Sequence, residues 1–373
     1  MMDAAAANTL SEGALSGLLT IDLGALAANY RLLANLVAPS VCGAVVKADA
    51  YGLGADRVAG ALAIEGCRHF FVAHLVEAKK LMRILPADAR LYVLNGIMPG
   101  GEDFAAANGI VPVLNSMAQV NGWNLAAARR GAPLSAVLQF DTGMSRLGLS
   151  LHDASVLAQD PTLLRNIDVQ FIMSHLASAD ESDNPQNAAQ LAVMQGLAAR
   201  FPQAKLCFAN SGGIHLSSDF RGDMVRPGIA LYGGAASDRI ANPMKPVVQL
   251  SVRVVQTHTV PEGALVGYAG TYRAPSEMRL ATLAAGYADG LPRSLSGCGA
   301  AYFAGQRLPI VGRVSMDSMT IDISSLSADA ISLGSLVELI GADQSLEDIA
   351  RDAGTISYEI LTGLGQRYHR QYI

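Results

Sequence analysis

The sequence predicts a (β/α)8 TIM barrel followed by a mainly β domain. Between about residues 40 and 235, eight short apolar runs alternate with longer segments that often show helical periodicity. Near-continuous apolar runs are typical of parallel strands covered on both faces, because neither face meets water. After about residue 246, short β-rich runs are separated by Gly, Pro and Asp turns, which indicates a second domain of a different type.

The eight apolar runs give the expected strand order of the barrel. They are GAVVKA, HFFVA, LYVLN, IVPVLN, AVLQFD, VQFIMSH, KLCFAN and MVRPGIALYG. Six of the runs have a polar residue at or just after their C-terminal end: Lys47, Asn95, Asn115, Asp141, His175 and Asn210. In a barrel these ends form one rim, where side chains from different strands converge on the active site.

The expected domain boundaries follow from these patterns. We assign the barrel to residues 15–245 and the C-terminal β domain to residues 246–373. Within the second domain, SLEDIARDAG is expected to form a helix with Ser345 at its N-cap. Residues 1–14 are expected to be disordered, because little in them can be buried.

Composition and charge exclude several classes of partner. Of the 373 residues, 51% are hydrophobic and 16% are charged, which indicates a large buried core. The net charge of −5 arises from interspersed signs without a Lys/Arg run, so neither nucleic acid nor a membrane is expected to bind. The N-terminus lacks a basic region, no apolar stretch is long enough to span a bilayer, and the four cysteines show no CxxC spacing. The expected protein is therefore cytoplasmic, without disulfides or a metal site.

Lys47 ends the first apolar run and precedes the glycine-containing loop AYGLGA. A lysine amine that is partly withdrawn from water loses some of its preference for the charged form. Only the neutral amine forms a Schiff base with a carbonyl, so this position suits a reactive lysine. The alternative interpretation is an ordinary lysine whose side chain extends to the rim.

A second candidate feature lies on the inferred seventh and eighth strands. FANSGG and RPGIALYGG place Ser211 and several glycines where backbone N–H groups can approach an anion, at the usual phosphate site of a barrel. Arg226 lies inside the eighth run, where an unpaired charge is costly, so it is expected to have an acceptor at the barrel mouth. For His175 alone, a hydrogen-bonded core histidine is the simpler interpretation.

Seven dispersed stretches resemble alanine racemases, bacterial enzymes that depend on pyridoxal 5′-phosphate (PLP). They are AVVKADAYGLGA, DTGMSRLG, MSHLASAD, FANSGG, RPGIALYGG, AAGYADG and GRVSMDSM, in the order and spacing of that family. The resemblance runs through nearly the whole chain. It implies a homodimer that interconverts L- and D-alanine, supplying D-alanine for the peptidoglycan of the cell wall or, alternatively, degrading it.

The resemblance also implies how PLP is held. Lys47 would bind it covalently, and Arg226 would donate to its pyridine nitrogen. Because an arginine does not protonate the ring, that ring withdraws electrons more weakly than one paired with aspartate. The other residues implied for the cofactor are Tyr51, Arg146, Asn210, Ser211, Gly228, Ile229 and Tyr358.

Racemisation requires that a proton leaves one face of the α-carbon and returns to the other. The resemblance implies Lys47 on one face and Tyr287 of a second subunit on the opposite face, with His175 bonded to Tyr287 and Arg226. The residues implied for the substrate are Arg146, Met316 and Asp317. Each active site would then be shared between two subunits.

One position departs from the family pattern. Many relatives carry a lysine modified to a carbamate two residues before the aspartate of DTGM, where this chain has Gln139. Glutamine does not form a carbamate. We therefore expect its neutral amide to orient Arg146, with a small anion in the vacated charge site.

Three other functions are alternatives to alanine racemisation. A serine or broad-specificity racemase for small amino acids would share every motif, because the sequence does not show the substrate gate. A PLP-dependent decarboxylase is disfavoured, since no substrate-binding cysteine region is evident near Cys298. A non-catalytic PLP carrier resembles the barrel alone, so the second domain with Tyr287 and Met316 disfavours it.

Overall fold

The computed structural model describes residues 14–373 and divides them into two compact units. One unit is Leu26–Lys245, and the other is Pro246–Ile373 together with residues 14–25. The first elements are strand β1 (Gly17–Ile21) and helix α1 (Leu23–Val37). Of the segment expected to be disordered, residues 1–13 lie outside the described residues.

The unit Leu26–Lys245 is a barrel of parallel strands, which confirms the (β/α)8 prediction. Its strands are β2 (Val41–Cys42), β3 (Ala44–Val45), β4 (His69–Val72), β5 (Arg90–Val93), β6 (Val111–Leu114), β7 (Leu134–Gln139), β8 (Ile167–Met173), β9 (Lys205–Cys207) and β10 (Met224–Val225). The sheet order is β2-β10-β9-β8-β7-β6-β5-β4-β3. Each of the eight predicted apolar runs overlaps a strand of this sheet.

Gly43 explains how nine short strands form an eight-stranded barrel. It separates β2, which pairs with β10, from β3, which pairs with β4. Its N–H still donates to the Val225 carbonyl oxygen at 2.9 Å, so β2 and β3 are two parts of one strand at which the sheet ends meet. A Cβ at this position would lie 2.8 Å from the Phe71 ring, which requires glycine.

The helices of this unit follow the strands in alternation, as expected for the fold. After α1 comes α2 (Lys47–Tyr51), a single turn with left-handed backbone at residues 48–51. The following helices are α3 (Ala55–Ile64), α4 (Leu75–Leu81), α5 (Glu102–Ala107), α6 (Met117–Arg130), α7 (Leu151–Gln159) and α8 (Pro185–Arg200). Side-chain caps fix several starts: Ser116 accepts the Gln119 N–H, and Asn184 accepts the Gln186 N–H one residue after Pro185. In the described part of the chain, no helix combines the length and apolar content needed to cross a membrane.

The second unit is mainly β, as predicted. Its remaining elements are β11 (Val248–Val260), β12 (Leu265–Val266), β13 (Tyr272–Arg273), β14 (Met278–Leu283), β15 (Ala300–Phe303), β16 (Gln306–Pro309), β17 (Met319–Asp322), β18 (Leu336–Ile340), α9 (Leu346–Ala353), α10 (Ser357–Gly363) and β19 (His369–Tyr372). The longest path through its main sheet is β16-β15-β18-β11-β1-β19. Helix α9 matches the predicted capped segment, since the Ser345 hydroxyl accepts the Asp348 N–H.

Strand β1 belongs to this second sheet although it precedes the barrel in the chain. It pairs antiparallel with β11 and parallel with β19. Alternate residues Leu19 and Ile21 are fully buried, so one face of the strand contributes to the core of this unit. The boundary expected from the sequence had included these residues in the barrel.

Candidate active site

The six polar residues that end the apolar runs all follow barrel strands on the C-terminal rim. Two of the three asparagines among them bind backbone groups. The Asn115 amide donates to the carbonyl oxygens of Leu94 and Val113, and the Asn210 amide donates to Leu176 and accepts the Gly213 N–H. These asparagines therefore hold rim loops in place, and Asn210 does so next to Ser211.

Lys47 lies two residues after β3 and is half-buried. Burial lowers the pKa of its amine, and the nearby Arg146 and Arg226 guanidinium groups lower it further, while Glu77 acts in the opposite direction. A larger fraction of the amine is consequently neutral near pH 7 than for an exposed lysine. This electrostatic setting favours the reactive-lysine interpretation over the ordinary one.

The residues after Lys47 form a left-handed turn. Ala48, Asp49, Ala50 and Tyr51 have φ values of 53°, 56°, 54° and 56°. This conformation costs about 1–2 kcal/mol for each L-residue, so the surrounding contacts must stabilise it. Tyr51 is buried by this turn, and its ring packs against that of Tyr232 with centroids 4.7 Å apart.

Ser211 and the segment after β10 bring hydroxyl and backbone N–H groups together at one place on the rim. The buried Ser211 hydroxyl accepts the N–H of Gly228 at 2.8 Å and the N–H of Ala230 at 3.4 Å. The Tyr51 hydroxyl lies so close to Gly228 that a Cβ there would overlap it. The structure thus brings together Tyr51, Ser211, Gly228 and the adjoining buried Ile229. Backbone N–H groups and hydroxyls at this spacing suit an anion such as a phosphate.

Arg226 precedes Gly228 by two residues and is almost completely buried. One terminal nitrogen donates to the carbonyl oxygens of Ser174, at 2.6 Å, and Phe208, at 3.3 Å. Its buried Nε has no hydrogen-bond partner among the residues that the structure describes. Because an unsatisfied buried donor on a charged group is costly, a ligand acceptor at Nε is the expected solution.

His175 follows β8, close enough to Lys47, Arg146 and Arg226 for their charges to act on it. Burial and these three cations lower its pKa to about 3. The ring is therefore neutral at physiological pH, with one donor and one acceptor nitrogen. Between residues 14 and 373, no hydrogen bond joins this ring to Arg226 as the resemblance implied.

This pKa predicts that His175 does not titrate between about pH 8 and about pH 5. Protein labelled with ¹³C in its histidine rings can be followed by NMR, with the His175→Asn variant identifying the signal. The His175 ring shift should stay constant over this range, because protonation begins only as the pH approaches about 3. A midpoint between about pH 5 and pH 7 would contradict the electrostatic setting described above.

A buried polar network supports the His175 segment, and sequence reasoning missed it. Gln190 of α8 is fully buried, and its amide oxygen accepts the Ala177 N–H at 2.9 Å. Its amide nitrogen donates to the His175 carbonyl oxygen at 2.9 Å and to the Thr142 hydroxyl at 3.0 Å. The only signal in the sequence is a glutamine on the apolar face of a helix.

The loop that carries Arg146 is shaped by Asp141. One carboxylate oxygen of Asp141 accepts the N–H groups of three successive residues, Gly143, Met144 and Ser145, at 2.9–3.0 Å. Arg146 itself is exposed. The described chain contains no hydrogen bond between the Gln139 side chain and Arg146, so the expected orientation of Arg146 by this amide is not supported.

Four further candidate residues lie in the mainly β unit, and the structure brings two of their motifs together. The Tyr287 N–H donates to the Ser315 carbonyl oxygen, and the Ala288 N–H donates to that of Met316, both at 3.0 Å. The side chains of Tyr287 and Met316 are 44% and 53% exposed, which leaves both available to a ligand or a second chain. Tyr358, which is 41% exposed, lies on α10.

Arg367 fixes the two motifs to each other and was not singled out from the sequence. Its guanidinium makes a bidentate ion pair with the buried Asp289 at 2.6 and 2.7 Å, and a third contact with Asp317 at 2.7 Å. Asp289 belongs to the short 3₁₀ helix that begins at Tyr287. Asp317 is therefore held by an arginine, which stabilises the position of Met316 beside Tyr287.

Comparisons with known proteins agree with these features. The family model for the alanine racemase N-terminal domain matches residues 21–236, and that for the alanine racemase C-terminal domain matches residues 247–372. A protein of Rhizobium johnstonii named a catabolic alanine racemase is 59% identical over 364 residues, which cover 98% of this chain and 96% of the relative.

Solved structures show the same similarity. Alanine racemase from Bartonella henselae, described with covalently bound pyridoxal phosphate, has a TM-score of 0.93 and 44% identity, covering 96% of this chain and 99% of that one. The biosynthetic alanine racemase from Pseudomonas aeruginosa has a TM-score of 0.86 and 32% identity, with coverage of 96% and 99%. From the two matched domains and these relatives, we conclude that this chain belongs to the alanine racemase family.

Proposed function

We propose that this protein racemises alanine with PLP as its cofactor. The main support for the proposal is the buried Arg226 Nε, which has no hydrogen-bond partner among the described residues. Lys47, whose pKa is lowered, lies close enough for the charge of Arg226 to act on it. A pyridine nitrogen only accepts hydrogen bonds, and an aldehyde reacts with a neutral amine. PLP presents both groups on one ring, so these two side chains fit it together.

The remaining residues around the rim fit the other parts of PLP. Tyr51, Ser211 and the backbone of Gly228 and Ile229 would hold the phosphate, because the Tyr51 and Ser211 hydroxyls both lie against the Gly228 backbone. When bound, PLP supplies an electron-withdrawing ring that makes the substrate α-proton acidic. Arg146 would bind the phenolic oxygen of the cofactor and the substrate. Tyr358 would add a contact to the phosphate.

Two residues would move the proton. The lowered pKa of Lys47 supports a role as acid and base on one face of the α-carbon. Tyr287 from the C-terminal domain of a second subunit would serve the opposite face. Met316 next to it would contact the substrate carboxylate through its backbone, and Asp317 would add a further contact to the substrate. A neutral His175 would accept a hydrogen bond from Tyr287, which favours loss of the tyrosine proton. The enzyme would therefore act as a homodimer with shared sites.

The direct test is racemisation by the purified protein loaded with PLP. L-alanine should be converted to an equal mixture of enantiomers, and a panel that includes L-serine measures how strictly the site selects alanine. Turnover of serine with equal kcat/KM would replace the proposal by a broad-specificity racemase. Absence of turnover for every amino acid by cofactor-loaded protein would refute it.

The physiological direction depends on supply, because enantiomers have the same free energy and the enzyme only equalises their concentrations. We retain supply of D-alanine for peptidoglycan as the proposed role, in the cytoplasm, where the four free cysteines, three of them buried, would remain reduced. The name of the Rhizobium relative favours use of alanine as a nutrient instead. The test is a strain from which the gene for this protein has been deleted. Growth of that strain without added D-alanine, together with failure to grow on alanine as carbon source, would establish the use of alanine as a nutrient.

A further inference from the structure

Glu77, in the first turn of α4, connects that helix to the turn that follows Lys47. One of its carboxylate oxygens accepts the Ala48 N–H at 2.6 Å. The other accepts the N–H groups of Ala73 at 2.8 Å and His74 at 2.9 Å. A single carboxylate thus binds three backbone donors from two separate segments of the rim, and charged acceptors make such bonds strong.

The residue that Glu77 binds is the first of the strained turn. Ala48 begins the four successive residues with positive φ, and it directly follows Lys47. Several other hydrogen bonds of this stretch are local: the Gly52 N–H donates to the Ala48 carbonyl oxygen, and the Asp49 carboxylate accepts the Ala55 N–H. Glu77 instead comes from a different helix and binds the turn at its start. It therefore opposes relaxation of the backbone towards ordinary φ values at that point.

The surroundings give the turn room to move once this contact is lost. A cavity of about 270 Å³ adjoins Glu77 and is lined by Val46, Asp49, Ala55 and Leu81, among others. Unfilled space next to strained backbone offers little resistance to a change of conformation. Glu77 also opposes the effects of Arg146 and Arg226 on the pKa of the Lys47 amine, so its removal leaves the effects of these two cations without that opposing charge.

We propose that Glu77 is a positioning residue for Lys47: it holds the left-handed turn, and thereby fixes the direction from which the Lys47 amine approaches PLP. This inference rests on the proposed function, in which Lys47 binds PLP. It assigns to Glu77 a role beyond capping α4. If Glu77 holds the turn, Ala48→Gly should compensate for its loss, whereas a helix cap would not be replaced by a change at Ala48.

The experiment compares Glu77→Gln, Ala48→Gly and the double variant in the full-length protein. Glutamine keeps the size of the side chain but retains one acceptor oxygen and directs an NH₂ group at backbone donors. Glycine adopts positive φ without cost, so Ala48→Gly removes the backbone strain at position 48. The turn then depends less on the hydrogen bond from residue 48 to Glu77. Glu102→Gln is the matched control, because Glu102 also opens a barrel helix and accepts the Gly100 N–H at 2.7 Å.

The readout is the rate at which added PLP becomes attached to Lys47, followed by absorbance and located by mass spectrometry after borohydride reduction. Wild type and Glu102→Gln should attach PLP at the same rate. Glu77→Gln should be slower by about ten- to hundredfold, the size expected for misplacement of a reacting group. Ala48→Gly in the Glu77→Gln background should recover most of that loss, with little effect on its own. If circular dichroism shows Glu77→Gln to be unfolded, Glu77→Asp takes its place in the same comparison.

Two outcomes would overturn the inference while leaving the proposed function intact. One is attachment at the wild-type rate in Glu77→Gln. The other is slow attachment that Ala48→Gly does not improve, which would assign Glu77 to helix capping alone. Failure of the wild-type protein to attach PLP at Lys47 would instead contradict the proposed function on which the inference rests.

Discussion

Replacing Lys47 by alanine is expected to abolish both the covalent attachment of PLP and racemisation. The substitution removes the amine whose pKa is lowered at the rim, and it removes one of the two proposed acid–base groups. Loss of a general base alone costs about 10²–10⁴ in rate, and loss of the covalent link to PLP adds to this cost. Turnover of L-alanine and absorbance of the bound cofactor measure the two effects separately.

Two further variants show whether the amine itself is required. Lys79→Ala removes an exposed lysine that lies over the Phe104 ring, with the amine 5.9 Å from its centroid, and should retain full activity. Lys47→Arg keeps the positive charge but offers no amine for a Schiff base, so it should be as inactive as alanine. Appreciable activity in Lys47→Arg would mean that Lys47 acts only through its charge.

The barrel was predictable because its physical signals are local. Parallel strands covered on both faces must be apolar nearly throughout, so each run stands out without knowledge of its neighbours. The rim was predictable for a related reason: a polar residue such as Lys47 or His175 can end a buried strand only where the strand reaches the surface of the barrel. The structure places both residues after strands of the same sheet.

The remaining features depend on pairings that a sequence does not display. Strand β1 has alternating burial, which would suit several sheets, and its pairing with β11 and β19 is what assigns it to the second unit. Glu77 accepts the backbone N–H of Ala48, and Gln190 donates to the backbone carbonyl oxygen of His175. Nearly every residue type has these backbone groups, so the sequence gives no sign of the two bonds. Such contacts require knowledge of which segments meet in space. The family resemblance likewise suggested a bond from Gln139 to Arg146, which is absent among residues 14–373.

Tyr287→Phe is expected to lower kcat/KM for L-alanine and for D-alanine by the same factor, about 10²–10⁴. Phenylalanine keeps the aromatic ring on the turn that Met316 and Arg367 hold, but it lacks the hydroxyl proposed to transfer the proton. The factor must be common to both directions, because the equilibrium constant between enantiomers is one. Tyr302→Phe, on β15 of the same unit, is the matched control and should have no effect.

Substrates with deuterium at Cα identify the face on which Tyr287 acts. In Tyr287→Phe the proton transfer on that face becomes slower than the transfer by Lys47. The enantiomer whose hydrogen faces position 287 should then show a large primary isotope effect, and the other enantiomer a small one. An unchanged kcat/KM in Tyr287→Phe would remove this tyrosine from the mechanism.

Mixing two inactive variants tests whether the sites are shared between subunits. If Tyr287 acts across the interface of a homodimer, a hybrid of Lys47→Ala and Tyr287→Phe contains one site with both substitutions and one site with neither. Random reassortment of equal amounts makes half of the dimers hybrid, so about one quarter of the wild-type activity should return. If Tyr287 acted within its own chain, every site in the mixture would lack one of the two groups. The mixture would then stay inactive, and the C-terminal domain would have to reach the barrel of its own subunit.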